Sequence, residues 1–129
     1  MGAIHRIVPS DQHGVVYWFH GNSGSGKTRL AIDFAKPGWI VLDADDMREV
    51  WTDLGFDKES RLEQNYRLAR LAKILSIQGV HVCIASICPY AEQRPELKKI
   101  IPWLNWCYVT GPDTLPPTDE HPFEEGGWT

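Results

Sequence analysis

One glycine-rich segment constrains the fold of this chain more than any other feature. Residues 21–28 read Gly-Asn-Ser-Gly-Ser-Gly-Lys-Thr and match the pattern GxxxxGK[ST] in full. The apolar run at 15–19 directly precedes the segment and is typical of a buried strand, whereas the apolar residues after Lys27 recur at helical spacing. The segment therefore predicts a strand, a loop and a helix in that order, as at the start of an α/β fold.

The residue types in this segment suit the binding of phosphate. Glycines let successive backbone N–H groups converge on phosphate oxygens, Lys27 neutralises charge on the β- and γ-phosphates, and the Thr28 hydroxyl can ligate Mg²⁺. We therefore expect a nucleoside-triphosphate site, with Thr28 as the magnesium ligand and Lys27 also catalytic. Its predicted residues are Gly21, Asn22, Ser23, Gly24, Ser25, Gly26, Lys27 and Thr28.

The rest of the chain alternates between apolar runs and helical patterns. Further strands are predicted at 39–42, 80–87 and 106–109, and helices at about 60–78, capped by Ser60 and Glu63, and from Pro95 to about 101. Strands separated by helices indicate a parallel sheet. We predict a three-layer α/β fold of the P-loop NTPase type with about four to five parallel strands. One domain should span 1–129, with an N-terminal extension at 1–14 and an irregular, acidic, proline-rich tail at 112–129.

Charge and composition exclude several classes of protein. The formal net charge is −4, and the residues after 112 include five acids and no lysine or arginine. A globally basic nucleic-acid binder is therefore not expected, although a local basic groove stays open. No apolar run approaches the length of a membrane span, and the N-terminus does not read as a signal peptide, so we expect a cytoplasmic protein without a membrane partner. The three cysteines should be reduced and mostly buried.

An acidic cluster, Asp43-Ala44-Asp45-Asp46, follows the second predicted strand. Ligands of open parallel sheets bind at the carboxyl ends of strands, and the strand at 80–87 has no acid there. We therefore expect Asp43 or Asp45 to steer Mg²⁺ or to deprotonate an acceptor hydroxyl, and both are candidate catalytic residues. The alternative is that Asp45 or Asp46 only caps a helical turn.

Five segments in order, GNSGSGKT, DADDMR, DLGF, SRLEQNYR and ICPY, make about residues 15–100 resemble the adenylylsulfate kinase (APS kinase) family. The resemblance implies transfer of the γ-phosphoryl group of Mg·ATP to the 3′-hydroxyl of adenylylsulfate. By position it also implies a set of acceptor-binding residues. These are Asp45, Arg48, Phe56, Arg61, Gln64, Arg67 and Ile87.

The chain also departs from the family pattern. Cys88 stands at the position of a family serine, and after Gly111-Pro112 the chain passes to a tail that resembles the segment following the family's basic lid. We therefore expect a short form without a lid, with an open acceptor site, low activity with free adenylylsulfate and weak discrimination between ATP and GTP.

Two alternatives to a kinase of small nucleotides stay open. One is a kinase of the same fold that acts on hydroxyl groups in DNA or RNA, for example on a hydroxymethylated base, as small phage-encoded kinases do. A phage-encoded protein would act in the cytoplasm of its host. The other is a non-catalytic nucleotide-binding module. A homodimer is also left open.

Overall fold

A parallel sheet forms the centre of the computed structural model, which describes residues 8–119 and 122–127. Its four strands are β1 (Val16–His20), β2 (Ile40–Asp43), β3 (Val82–Ala85) and β4 (Leu104–Tyr108). Their spatial order is β2-β3-β1-β4, and every pair is parallel, with Trp18 of β1 opposite Ile84 of β3 and Trp106 of β4. The predicted parallel sheet of about four to five strands is confirmed.

Helices cover both faces of the sheet. They are α1 (Lys27–Phe34), α2 (Ala44–Met47), α3 (Lys58–Ser76) and α4 (Gln93–Ile100). Because successive strand residues face opposite sides, Val16 and Trp18 join the core that α3 and α4 cover, whereas Tyr17 and Phe19 join the core beneath α1. The predicted three-layer arrangement is therefore correct.

The predicted start of α3 was wrong. The helix begins at Lys58 and its N-cap is Asp57, whose carboxylate accepts a hydrogen bond from the backbone N–H of Ser60 at 3.3 Å. Ser60 is thus the third residue of the helix rather than its cap. An aspartate three residues before a backbone donor satisfies the first turn as well as a serine does, and the sequence offered both.

Smaller boundary differences have similar local causes. Helix α4 begins at Gln93 rather than at Pro95, since proline is tolerated anywhere in a first turn, where its missing N–H has no helical partner. Strand β4 begins at Leu104, before the predicted 106, and β3 is shorter than the predicted 80–87.

The described part of the tail has no helix or strand, and it packs onto the fold. Phe123 is 9% exposed, and its ring stacks on His20 and Tyr108. The buried Arg94 holds the same segment by donating to the carbonyl oxygen of Gly126 at 2.5 Å. The N-terminal extension also docks, because Gly14 N–H donates to the carbonyl of Ser76 at 2.8 Å; its residues 1–7 lie outside the described ranges.

Cys83 and Cys88 are buried, Cys107 is half-buried, and all of them are free thiols, as predicted. Within residues 8–119 and 122–127, no helix has the length and apolar character needed to cross a membrane.

Candidate functional site

The segment Gly21–Thr28, hereafter the phosphate loop, connects β1 to α1 as predicted. Gly24 and Gly26 have positive φ values of 80° and 88°, in the left-handed region that favours glycine. A Cβ placed on Gly26, directly before α1, would meet nothing within 4 Å, so the backbone conformation and not a lack of space requires glycine there. This conformation places the loop at the N-terminus of α1, where backbone N–H groups and the helix dipole favour anions.

The phosphate loop is tied to the end of β2 by one short hydrogen bond. The Thr28 hydroxyl donates to Asp43 Oδ2 at 2.5 Å, and the other carboxylate oxygen of Asp43 accepts from the backbone N–H of Asp45 at 2.8 Å. Asp43 is therefore also the N-cap of α2. The helix cap that we considered for Asp45 or Asp46 is supplied by Asp43, and Asp45 is left to line the cavity described next.

A cavity of about 210 Å³ lies at the carboxyl ends of β2 and β3. Its lining brings together most of the residues that the sequence singled out. These are Lys27, Thr28, Asp43, Asp45, Arg48, Phe56, Arg61, Gln64 and Ile87, together with Ser23 of the phosphate loop. The remaining predicted loop residues shape the backbone of the loop rather than the cavity wall.

Four of these residues, Arg48, Phe56, Arg61 and Gln64, form a connected group that we call the acceptor cluster. The Arg48 guanidinium lies 4.0 Å from the centroid of the Phe56 ring and donates to Gln64 Oε1 at 3.2 Å. Arg61 Nε donates to the carbonyl oxygen of Phe56 at 2.6 Å. The cluster thus presents a 67% exposed aromatic ring beside two cations, which suits a base and its attached anionic groups.

Asp45 links the phosphate loop to the acceptor cluster electrostatically. Burial lowers the pKa of Lys27, and the charges of Asp45 and Asp43 oppose that shift. Burial likewise lowers the pKa of Arg48, and Asp45 again opposes the shift, while Arg61 adds to it. Asp45 therefore interacts electrostatically with both Lys27 and Arg48, and all three residues line the cavity.

The donor set of the site also fits magnesium carried by a nucleotide. Among the residues that the structure describes, no group of three or more His, Cys, Asp or Glu side chains could hold a metal. Mg²⁺ is usually bound by one or two protein oxygens together with substrate phosphates and water, and Thr28 with Asp43 beside the phosphate loop offers that arrangement.

A model of the adenylylsulphate kinase family matches residues 13–113. The chain belongs to this family. It is 37% identical over 112 residues to an adenylyl-sulfate kinase of Chloroflexus aurantiacus, an alignment that covers 81% of this chain and 60% of the relative. It is also 37% identical over 106 residues to a probable adenylyl-sulfate kinase of Pyrococcus abyssi, covering 77% of this chain and 61% of the relative. The chain thus spans about three fifths of the length of these relatives.

Solved APS kinase structures share the fold. A cysteine-to-alanine mutant of the Mycobacterium tuberculosis APS kinase superimposes with a TM-score of 0.67 at 31% identity, covering 82% of each chain. The complex of that kinase with AMPPNP and APS gives a TM-score of 0.66 at 32% identity, covering 74% of this chain and 61% of the other. The hexameric APS kinase from Thiobacillus denitrificans gives a TM-score of 0.69 at 26% identity, covering 89% of this chain and 26% of the other. The P-loop NTPase fold predicted for this chain is confirmed.

For this member of the APS kinase family, the structure does not bring Arg67 to the cavity. Its guanidinium forms a bidentate ion pair with Asp53, both N–O distances being 2.9 Å, and its Nε donates to Glu63 at 2.8 Å. These contacts raise the pKa of Arg67 further above its ordinary value. The acceptor-binding role implied by the resemblance therefore stays a prediction that this geometry does not favour.

Sequence reasoning missed two buried polar residues that line the cavity, Asn65 and Ser86. The Ser86 hydroxyl donates to Asn65 Oδ1 at 2.8 Å, and Asn65 Nδ2 donates to Gln93 Oε1 at 3.1 Å, which links the residue after β3 to α3 and α4. A usable signal was present, because Asn65 interrupts the apolar face of α3 that includes Leu68 and Ala72.

Arg94 was also missed, although it is fully buried. Its Nε and Nη2 donate to the carbonyl oxygen of Cys88, at 3.2 and 2.9 Å, and so hold the turn after β3 that lines the cavity. Cys88 adopts a positive φ of 48°, and burial raises the pKa of its thiol to about 12. The residue at this family serine position therefore stays a protonated thiol.

Proposed function

We propose that this chain is an ATP-dependent phosphotransferase of the APS kinase type. It moves the γ-phosphoryl group of Mg·ATP to a hydroxyl group of a nucleotide-like acceptor, and the resemblance favours the 3′-hydroxyl of adenylylsulfate. The observation that carries the proposal is the shared cavity, which Asp45 lines together with Lys27 of the phosphate loop and Arg48 of the acceptor cluster and in which its charge acts on both cations. On the resemblance alone, we place the reaction in the cytoplasm.

The phosphate loop would hold the triphosphate of the phosphoryl donor. Its backbone N–H groups and Lys27 would contact phosphate oxygens, and Thr28 with Asp43 would hold the Mg²⁺ that, when bound, neutralises phosphate charge. Burial of Lys27 strengthens its attraction to phosphate, since less water screens the ammonium group.

The acceptor cluster would hold the nucleotide that is phosphorylated. The exposed face of Phe56 offers a stacking surface for its base, and Arg48 and Arg61 offer charge for its anionic groups. Gln64 fixes Arg48 from one side and donates to the carbonyl oxygen of Ala44 at 2.8 Å, so the cluster is anchored to α2, the helix that carries Asp45.

The chemical step then needs one proton acceptor. The acceptor hydroxyl oxygen forms a bond to the γ-phosphorus, the bond between that phosphorus and the bridging oxygen breaks, and ADP leaves with the bridging oxygen. The hydroxyl proton passes to the Asp45 carboxylate. Asp43 is less suited to this step, because both of its oxygens already accept hydrogen bonds from Thr28 and from Asp45 N–H.

Several observations support the proposal beyond the motif. The family assignment rests on residues 13–113, and a related solved structure is a complex with AMPPNP and APS. Comparable use of ATP and GTP stays a prediction, and so does a homodimer.

The test is a transfer assay with γ-labelled ATP and Mg²⁺. The acceptor is adenylylsulfate or an oligonucleotide with hydroxymethylated bases, and a third reaction contains no acceptor. Each reaction is run with wild type, with Asp45→Asn and with the matched control Asp46→Asn. We expect label on adenylylsulfate with wild type and with Asp46→Asn, and a loss of label with Asp45→Asn. Label on the oligonucleotide alone would assign a nucleic-acid acceptor instead. Tight ATP binding with no transfer in any arm would contradict the kinase proposal.

A further inference from the structure

The irregular chain after β4 contacts the phosphate loop directly. Residues 109–115, hereafter the clasp, run along Gly21, Asn22, Ser23 and Gly24. The Leu115 N–H donates to the carbonyl oxygen of Ser23 at 2.9 Å, and Asn22 Nδ2 donates to the carbonyl oxygen of Leu115 at 2.9 Å. Both backbone groups of a single clasp residue are therefore bonded to adjacent residues of the loop.

The clasp is itself closed into a turn by Thr114. The Gly111 N–H donates to the Thr114 hydroxyl at 2.7 Å, and the Thr114 N–H donates back to the carbonyl oxygen of Gly111 at 3.1 Å. These reciprocal bonds fix the direction in which Leu115 leaves the turn. The Thr114 side chain thus controls where the two bonds to the phosphate loop form.

Two glycines of the phosphate loop let the clasp approach closely. A Cβ on Gly24 would lie 2.3 Å from the carbonyl oxygen of Asp113, and a Cβ on Gly21 would lie 2.2 Å from that of Val109. Under this cover Asn22 is only 3% exposed. The clasp thus occupies one side of the loop, and its bonds use the Ser23 carbonyl and the Asn22 amide rather than the N–H groups that phosphate requires.

We propose that Asn22 and Thr114 are positioning residues that hold the phosphate loop in its anion-binding conformation through the clasp. The conformation of the loop affects the affinity for a nucleotide, because binding is weaker when the nucleotide must first order the N–H groups that it contacts. The pattern GxxxxGK[ST] leaves the position of Asn22 unspecified, so this role is a feature of the present chain rather than of the motif. The inference rests on the proposed function only in taking the loop to bind a nucleotide.

The variants separate positioning from stability. Thr114→Val keeps the side-chain shape but cannot accept from Gly111 N–H, whereas Thr114→Ser keeps the hydroxyl and is the matched rescue. Asn22→Leu removes the amide donor. The substitution removes an acceptor, Asn22 Oδ1, that is buried without a partner among the described residues, but it also leaves the Leu115 carbonyl oxygen without its donor, so the melting temperature of this variant is measured beside its affinity.

The measurements are calorimetric titrations with Mg·AMPPNP, with melting temperatures as the readout of folding and adenylylsulfate as a second ligand. Loss of one positioning hydrogen bond should weaken Mg·AMPPNP binding by about fivefold to tenfold in Asn22→Leu and Thr114→Val. Thr114→Ser should bind as wild type does, and the affinity for adenylylsulfate should not change in any variant.

Equal Mg·AMPPNP affinity in wild type and folded Thr114→Val would overturn the proposal. So would weakened binding of both ligands in step with the melting temperature, since that pattern is a general loss of structure. If Asn22→Leu does not fold, the Thr114 pair on the partly exposed turn decides alone. Failure of wild type to bind Mg·AMPPNP would instead refute the proposed function, so the two failures are distinguishable.

Discussion

The phosphate loop and the acceptor cluster line the same cavity but are built in opposite ways. The loop is one contiguous segment whose backbone requires glycines with positive φ and leads into α1, and the clasp bonds to one side of it. The acceptor cluster is assembled from separate stretches of chain, and its polar groups are bonded to one another, as between Arg48 and Gln64 at 3.2 Å. A contiguous site can be formed by local backbone geometry, whereas a dispersed site depends on the packing of α2 and α3 against the sheet.

The largest expected effect falls on the phosphate loop. Lys27→Ala should abolish tight ATP binding and lower turnover by about 10²–10³, the usual cost of removing one group that stabilises developing charge in a buried site. The exposed Lys36→Ala is the matched control and should bind ATP normally. Calorimetry decides this, and equal ATP affinity in wild type and Lys27→Ala would refute the phosphate-loop interpretation.

Asp45, the link between the two regions, should carry the next largest effect. Asp45→Asn removes the proposed proton acceptor but no hydrogen-bond cap, so turnover should fall by about 10² or more while the melting temperature is unchanged. Asp43→Asn tests the other candidate, and it should weaken the bond to Thr28 rather than proton transfer. Full steady-state activity in both variants would refute a catalytic role for either acid.

Acid should destabilise the folded protein through His20, which lies beside the phosphate loop. Burial lowers the pKa of His20, the residue directly before the loop, from 6.5 to about 3, and the charge of Arg94 adds to the shift. The folded protein therefore keeps His20 neutral, whereas the unfolded chain takes up a proton below pH 6.5.

Stability from this source is present above pH 6.5 and is lost as the pH falls from 6.5 towards 3. At pH 5 the loss should be about 2 kcal/mol relative to pH 7. Urea unfolding of wild type and His20→Phe at both values measures it. An identical pH dependence in the two proteins would show that His20 titrates as an ordinary exposed histidine.

The smallest effect is expected within the acceptor cluster. Arg48→Lys keeps the charge but loses the planar group that lies over Phe56 and forks to Gly55 and Gln64. The KM for the acceptor should rise by about tenfold, as for the loss of roughly 1.4 kcal/mol, while the KM for ATP stays constant. Arg70→Lys serves as the control. A rise in the KM for ATP in Arg48→Lys would show that the two regions do not act separately.

The same contrast explains how far the sequence could predict the molecule. The phosphate loop, the parallel sheet and Asp45 followed from contiguous patterns, because strand periodicity and glycine conformation are local properties. The lining of the cavity by Arg48, Phe56 and Gln64 was expected only through resemblance to a family. Their contacts join residues as far apart as Arg48 and Gln64, which no local pattern specifies.

The sequence could not predict which tertiary contacts individual side chains and the tail would form. Arg67 pairs with both Asp53 and Glu63 and does not line the cavity, where the acceptor nucleotide was expected to draw it. The tail was expected to be irregular, yet Phe123 is buried against His20 and Leu115 is bonded to Ser23. Such contacts join the chain end to the phosphate-loop side of the fold, and they depend on tertiary packing that composition does not reveal.

We propose that one cavity binds the phosphoryl donor and the acceptor side by side. Calorimetric titration of adenylylsulfate into the protein saturated with Mg·AMPPNP measures this, with Lys27→Ala and Arg48→Lys as the paired variants. We expect one adenylylsulfate to bind per chain in the presence of bound Mg·AMPPNP, with Lys27→Ala impairing only the binding of the triphosphate and Arg48→Lys only that of adenylylsulfate. Competition between the two ligands for a single site would contradict it.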